Sequence, residues 1–131
     1  MITRYNPPDA PPAARYSQVV RVDLPGARLM FVSGLVAIDS DGHLVGPGDV
    51  VAQADQVYAN LEAVLASQGA GLEHIVKVTT FLRDDVDPVP LGVRSRFPDD
   101  ALPAATAVKV SSLADPAWLL EVEAVAVAPG G

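Results

Sequence analysis

The stretch VVAQADQVYANLEAVLASQGAGLEHIVKVTTFL, residues 50–82, joins a helical pattern to a strand pattern and decides the fold class. From Val50 its apolar residues recur every three or four positions, which is typical of an amphipathic helix packed on a core. Asp49 is a favourable N-cap for this helix, and Gly69 is a favourable stop. The apolar run Ile75–Leu82 has the composition of a strand. We therefore predict one strong helix, residues 50–68, and a strand directly after it.

The sequence on either side predicts further strands at Tyr16–Leu24, Leu29–Val32, Thr106–Val110 and Leu119–Val127. Within Asp87–Asp100, the prolines Pro88, Pro90 and Pro98 bracket residues 91–97, which have room for about two turns of a second, short helix. This order of elements predicts an α+β domain in which the helices cover one face of a sheet. The opposite face would be aliphatic and bare, which predicts association with other copies of the chain.

Composition limits the classes of function. The chain has 131 residues, a formal charge of −7 and no cysteine. Its length predicts a single domain, residues 1–131, with a proline-rich extended arm at residues 1–15. The acidic charge argues against nucleic acid or an anionic membrane as a partner, and the missing cysteines exclude thiolate chemistry. We expect a cytoplasmic protein, since no apolar run has the length of a membrane span.

Several motifs together resemble the YjgF/RidA (Rid, reactive intermediate deaminase) family over nearly the whole chain. The matching segments contain short runs of apolar and small polar residues on the predicted helix and strands. They are Ala10-Pro11, Tyr16-Ser17-Gln18, Phe31-Val32-Ser33-Gly34, Gln53, Gln56-Val57, residues 60–65, residues 75–84 and residues 121–126.

The resemblance implies a mixed sheet of about six strands with two helices on one face. It also implies a homotrimer with a central barrel and a small-molecule cleft at each subunit boundary. Deaminating members hydrolyse reactive imines and enamines there, and they need no metal or organic cofactor. The residues that match the family's site are Glu121 for catalysis and Tyr16, Ser33, Gly34 and Thr106 for substrate binding.

Ala105 occupies the position at which the deaminating members carry an arginine, in a Pro-Ala-Arg-Ser pattern that here reads Pro103-Ala104-Ala105-Thr106. A guanidinium at this position would hold a substrate carboxylate with two parallel hydrogen bonds. Leu91 stands where the family has an asparagine. These departures argue against a simple 2-imino acid as the substrate. Arg94, or less favourably Arg96, Arg15 or Lys109, could replace the lost cation.

Each candidate also has a structural explanation. Glu121 and Glu123 share one strand face and could be ordinary charges at a sheet edge, although burial would raise the pKa of Glu121. Tyr16 could be an aromatic at the edge of the core, and Ser33-Gly34 could form a bulge. His43 and His74 lack the spacing of metal ligands, so we predict no metal site.

Two functions remain open from the sequence. One is a divergent Rid-like enzyme that acts on a reactive imine, enamine or related carbonyl intermediate by hydrolysis, tautomerisation or assisted cyclisation. The other is a trimer without catalysis that binds a small metabolite or a protein. Retention of Tyr16, Ser33-Gly34 and Glu121 favours the enzyme, and the alanine at position 105 favours the binding protein.

Overall fold

The computed structural model describes residues 1–130, except the side chains of Val93 and Arg94. Six strands form one sheet, and one α-helix packs across it. The strands are β1 (Ile2–Tyr5), β2 (Val19–Leu24), β3 (Ala27–Leu35), β4 (Ile75–Arg83), β5 (Ala104–Val110) and β6 (Leu120–Pro129), and the helix is α1 (Val50–Ala66). The predicted α+β class, the strong helix and the mixed sheet are confirmed.

The strand order in the sheet is β1-β2-β3-β6-β4-β5. The last strand of the chain, β6, is inserted between β3 and β4 and runs antiparallel to both. Strands β4 and β5 are parallel, so the connection between them must cross over a face of the sheet. Strands β3 and β4 also run in the same direction, and the connection between them, which contains α1, crosses a face of the sheet in the same way.

The helix begins where the N-cap pattern predicts, because the Asp49 side chain accepts a hydrogen bond from the Ala52 amide at 3.1 Å. Its apolar stripe is buried against the sheet. The strand side chains beneath it are equally buried: Val78 is 1% exposed, and Val122 and Ala126 are fully buried. The core is therefore a layer of aliphatic side chains between α1 and one face of the sheet.

The predicted second α-helix is not present in the described residues. The segment instead forms two short 3-10 turns, Val89–Leu91 and Val93–Arg96. Pro88 and Pro90 supply no backbone donors to a helix, and Gly92 has the left-handed conformation (φ 59°). A continuous helix cannot pass through that combination.

More residues of the N-terminal arm contact the domain than the sequence predicted. Its first residues form β1, which pairs antiparallel with β2. The arm then folds back, because the Gln18 amide donates to Asn6 Oδ1 at 2.8 Å and the Gln18 side chain donates to the Pro11 carbonyl at 2.7 Å. Pro11 is buried as a result.

The face of the sheet opposite α1 is open in the single chain. It presents apolar side chains that include Phe31 at 47% exposure, and Val108 and Val127 at about the same level. Apolar side chains therefore cover part of this face, as predicted, and Glu121 and Glu123 lie on the same face.

A buried glutamine joins three separate segments. Gln53, on the first turns of α1, is fully buried. Its side-chain amide donates to the carbonyls of Gly46 and Ala117, and its carbonyl accepts from the Leu119 amide, at 3.0–3.1 Å. These bonds fix the start of β6 against the helix.

We expect Gln53→Leu to lower the free energy of unfolding by on the order of 3 kcal/mol, because several buried backbone groups lose their partner. Urea denaturation measures this as a lower midpoint. The control is Gln56→Leu, which removes one half-buried bond to Asn60 and should cost less. Equal midpoints for the two variants would show that the Gln53 bonds do not stabilise the fold.

Candidate functional site

Glu121 lies on the open face of the sheet, beside Phe81 of the neighbouring strand. Its carboxylate lies directly over Gly34. A β-carbon added at Gly34 would be 2.9 Å from Glu121 Cδ and would overlap Oε2. Gly34 does not have a positive φ. A side chain at this position would displace the carboxylate, so glycine leaves the space that Glu121 occupies and does not serve an unusual backbone angle.

The surroundings of Glu121 disfavour its ionised form. Burial raises the pKa of the Glu121 carboxyl above its usual value, and the negative charge of Glu123 on the same strand face adds to the effect. A carboxyl whose pKa is raised toward neutrality exchanges protons more readily at physiological pH.

Tyr16 lines a small cavity that shares Gly34 with the Glu121 contact. The cavity has a volume of about 280 Å³, and Gly34 forms part of its wall. Trp118 and the folded arm, through Pro11 and Pro12, form other walls. Tyr16 is 49% exposed and precedes β2 rather than lying within it. Gly34 thus joins the Tyr16 cavity to the Glu121 carboxylate.

Ser33 has its donors engaged within the fold. Its amide donates to the Gln18 carbonyl at 2.9 Å, and its hydroxyl donates to the Ser17 carbonyl at 2.6 Å. The pairing of β3 with β6 shifts register between Val32 and Leu35. The bulge that was the structural alternative for Ser33-Gly34 is therefore present, and it is what turns Gly34 toward Glu121.

Ala105 lines a different cavity, on the helix side of the sheet. This groove of about 640 Å³ also contains Leu91, the residue at the family's asparagine position. Val78, Thr80 and Leu82 of β4 form its floor, and Pro88, Val89 and Gly92 form its outer wall. The two positions at which the resemblance predicted polar residues therefore lie in one groove.

Glu121 and Ala105 lie on opposite faces of the sheet within one chain. Ala105 is paired with Val78, which is buried beneath the helix. Glu121 is paired with Phe81, which lies three positions after Val78 on β4. Because side chains alternate along a strand, Phe81 and Glu121 point to the other face. The two sets of site residues cannot meet within a single chain.

Thr106 lies on the same face as Glu121 by this register and also reaches the rim of the Ala105 groove. Its hydroxyl accepts a hydrogen bond from Lys77 Nζ at 2.6 Å. No local pattern points to Lys77, because its position beside Thr106 depends on the register between β4 and β5.

Two of the cations considered as replacements for the missing arginine have other partners. Arg96 donates to the Leu91 carbonyl and to Asp55, and its guanidinium stacks on the Tyr58 ring at 4.8 Å. Lys109 donates to the Asp84 carbonyl. Arg15 is exposed, and the side chain of Arg94 lies outside the described residues.

His43 has neighbours that the sequence interpretation overlooked. Asp39, Asp41 and His43 place possible ligand atoms within 4.8 Å of one another. One oxygen of Asp39 already accepts the amides of Asp41 and His43, at 3.0 and 2.9 Å. The cluster is thus the hydrogen-bonded turn of an exposed loop.

Among the residues that the structure describes, α1 and the shorter helices lack the length and apolar character of a membrane span.

The chain is similar in sequence to known proteins over most of their length. Protein DfrA from Myxococcus xanthus is 40% identical over 113 residues, 86% of this chain and 84% of that protein. The mouse protein named 2-iminobutanoate/2-iminopropanoate deaminase is 38% identical over 115 residues, 86% of this chain and 80% of its own.

A solved structure and a family profile agree with these relatives. Escherichia coli TdcF, whose crystal structure contains bound serine, superposes with a TM-score of 0.80 at 29% identity, covering 96% of this chain and 98% of its own. The profile described as Endoribonuclease L-PSP matches residues 7–128. The six-stranded sheet, the single long helix and these matches show that the chain belongs to the Endoribonuclease L-PSP family, the family also known as YjgF/RidA.

Proposed function

We propose that this protein hydrolyses a small reactive imine or enamine in a cleft between subunits, with Glu121 as the catalytic group. The observation that carries the proposal is the Glu121 carboxylate, half-buried and held over Gly34 beside the Tyr16 cavity. The relative named as an imine deaminase supports the same reaction class. The formal charge of −7 argues against RNA as the substrate, despite the family's description.

The reaction follows from the position of one carboxylate. Glu121 accepts a proton from a water molecule as that water attacks the imine carbon, and it passes this proton to the nitrogen, which gives a neutral carbinolamine and restores the carboxylate. Glu121 then takes the proton of the carbinolamine hydroxyl and delivers it to the nitrogen, so that the carbonyl forms as the carbon–nitrogen bond breaks. The products are a carbonyl compound and ammonia, and Glu121 ends as it began.

The cleft needs more than one chain. Glu121 and the Ala105 groove face opposite sides of the sheet, so a ligand that contacts both must lie between two copies. Burial of the open apolar face provides the driving force for association. We propose the homotrimer that the resemblance implies, in which the Glu121 side of one subunit faces the Ala105 groove of the next.

We expect Glu121→Gln to lower the rate of imine hydrolysis by about 10²-fold or more, because the amide cannot take up the proton. Imines are generated from aliphatic amines by a flavin-dependent amine oxidase and trapped as semicarbazones. Active protein lowers the amount trapped. Glu62→Gln, on the exposed surface of α1, is the control. Full activity of Glu121→Gln would remove this residue from the mechanism; no activity of the wild type on any imine would favour the binding function.

The rate should fall with acid at a higher pH than an ordinary glutamate would give. Glu121 acts as a base in its ionised form, and its pKa is raised. The rate is therefore full above the raised pKa and is lost as the pH falls through it. Glu123→Gln removes the neighbouring charge and should move the acid limb of the profile to lower pH. An unmoved limb would show that another group titrates.

Sedimentation should give a mass three times that of the 13.6 kDa chain. Ala105→Trp fills the groove and Glu121→Gln removes the base, so each variant alone should be inactive. Refolding the two together should restore about a quarter of the sites, those that take each intact half from a different chain. A monomer, or no recovery in a mixed trimer, would contradict the shared cleft.

A further inference from the structure

The groove at Ala105 is uncharged on every wall that the structure describes. Its lining consists of six aliphatic residues, one proline, one glycine and three residues that carry a hydroxyl. The floor is part of the core, since Val78 and Leu82 are 1% and 3% exposed. Leu91 closes one end at 1% exposure. Nothing among these described side chains would compensate a negative charge.

The size and openness of the groove suit a small molecule. About 640 Å³ lies in the range of ligand pockets, which is roughly 300–1,000 Å³. Ala105 and Ala107 create this space, because both side chains are single methyl groups on the helix face of the edge strand. The hydroxyls of Thr80 and Ser95 can bind a neutral polar group, whereas the Thr106 hydroxyl accepts from Lys77 on the opposite face of the sheet.

The apolar wall is held in place by a cation that has no access to the ligand. Arg96 Nε donates to the Leu91 carbonyl at 3.1 Å, while its Nη2 contacts Asp55 at 2.8 Å. The Arg96 side chain is only 19% exposed and stacks on Tyr58, which itself packs edge-on against Phe97. Arg96 therefore positions Leu91 and does not offer its charge to the groove.

We propose that Ala105 and Leu91 make this groove a subsite for an uncharged, apolar substituent, so that the protein selects neutral imines over 2-imino acids. A carboxylate that enters the groove loses hydration without gaining a charged partner. An alkyl group gains about fourfold in affinity for each methylene that it buries. This inference rests on the proposed function, since it names the substrate class of the same cleft.

Two probes of one shape test the subsite directly. 4-Methylpentan-2-one and 4-methyl-2-oxopentanoate share a branched skeleton and a ketone, and they differ only in a methyl group against a carboxylate. Binding is followed by the ¹³C-methyl NMR signals of Ala105, Ala107 and Leu91 in the intact assembly. We expect saturable shifts with the neutral ketone and at least tenfold weaker binding of the oxo acid.

Ala105→Arg should reverse the preference by at least tenfold, because its guanidinium can pair with the carboxylate. The exposed edge position of Ala105 allows the longer side chain without disturbing the core. Ala66→Arg, exposed on α1, adds the same charge elsewhere and should leave the preference unchanged.

Equal binding of both probes to the wild type would overturn the proposal. If Arg94→Ala then abolished binding of the oxo acid, Arg94 would be the replacement cation. Groove signals that change with protein concentration but not with the ketone would also overturn it, by showing that a second copy fills the groove. A retained preference for the ketone in a protein without imine turnover would refute the proposed hydrolysis and leave the subsite standing.

Discussion

The alternation of side chains along β6 is the constraint on which the rest of the structure depends. This strand is hydrogen-bonded on both sides, to β3 and to β4. Its even-numbered residues, from Leu120 to Ala128, are buried under the helix, while Glu121 and Glu123 face the open side. A shift of one residue would place both carboxylates in the aliphatic core, so the register is strongly specified.

The close contact between Glu121 and Gly34 follows from that register. The bulge in β3 occurs where its pairing with β6 is interrupted, and Ser33 anchors the bulge through bonds to the segment before β2. The carboxylate is then half-buried beside a second carboxylate, which raises its pKa. Sheet geometry, packing and proton chemistry are thus linked through a single glycine.

The polarity of the Ala105 groove can change without a change of fold. Ala105 and Leu91 belong to different elements, an edge strand and a 3-10 turn, and both wall the same groove. Arg96 holds the turn to α1 through Asp55 and Tyr58. Because those tethers do not involve the groove surface, the residues at positions 91 and 105 can vary in polarity while the wall stays in place.

Four features could be predicted from the sequence alone: the α+β class, the N-cap at Asp49, exposed apolar side chains on one sheet face, and the family. These features depend on local periodicity and composition, which a linear pattern carries. The sequence pattern wrongly predicted a second helix within Asp87–Asp100. Two prolines and the left-handed Gly92 allow only short 3-10 turns there.

Strand order and packing across the sheet set which residues share a site. The insertion of β6 between β3 and β4, and the parallel register of β5, placed Ala105 with Leu91 and Glu121 with Gly34 on opposite faces. Such pairings join residues far apart in the chain, and they are fixed by strand order and packing rather than by any local signal.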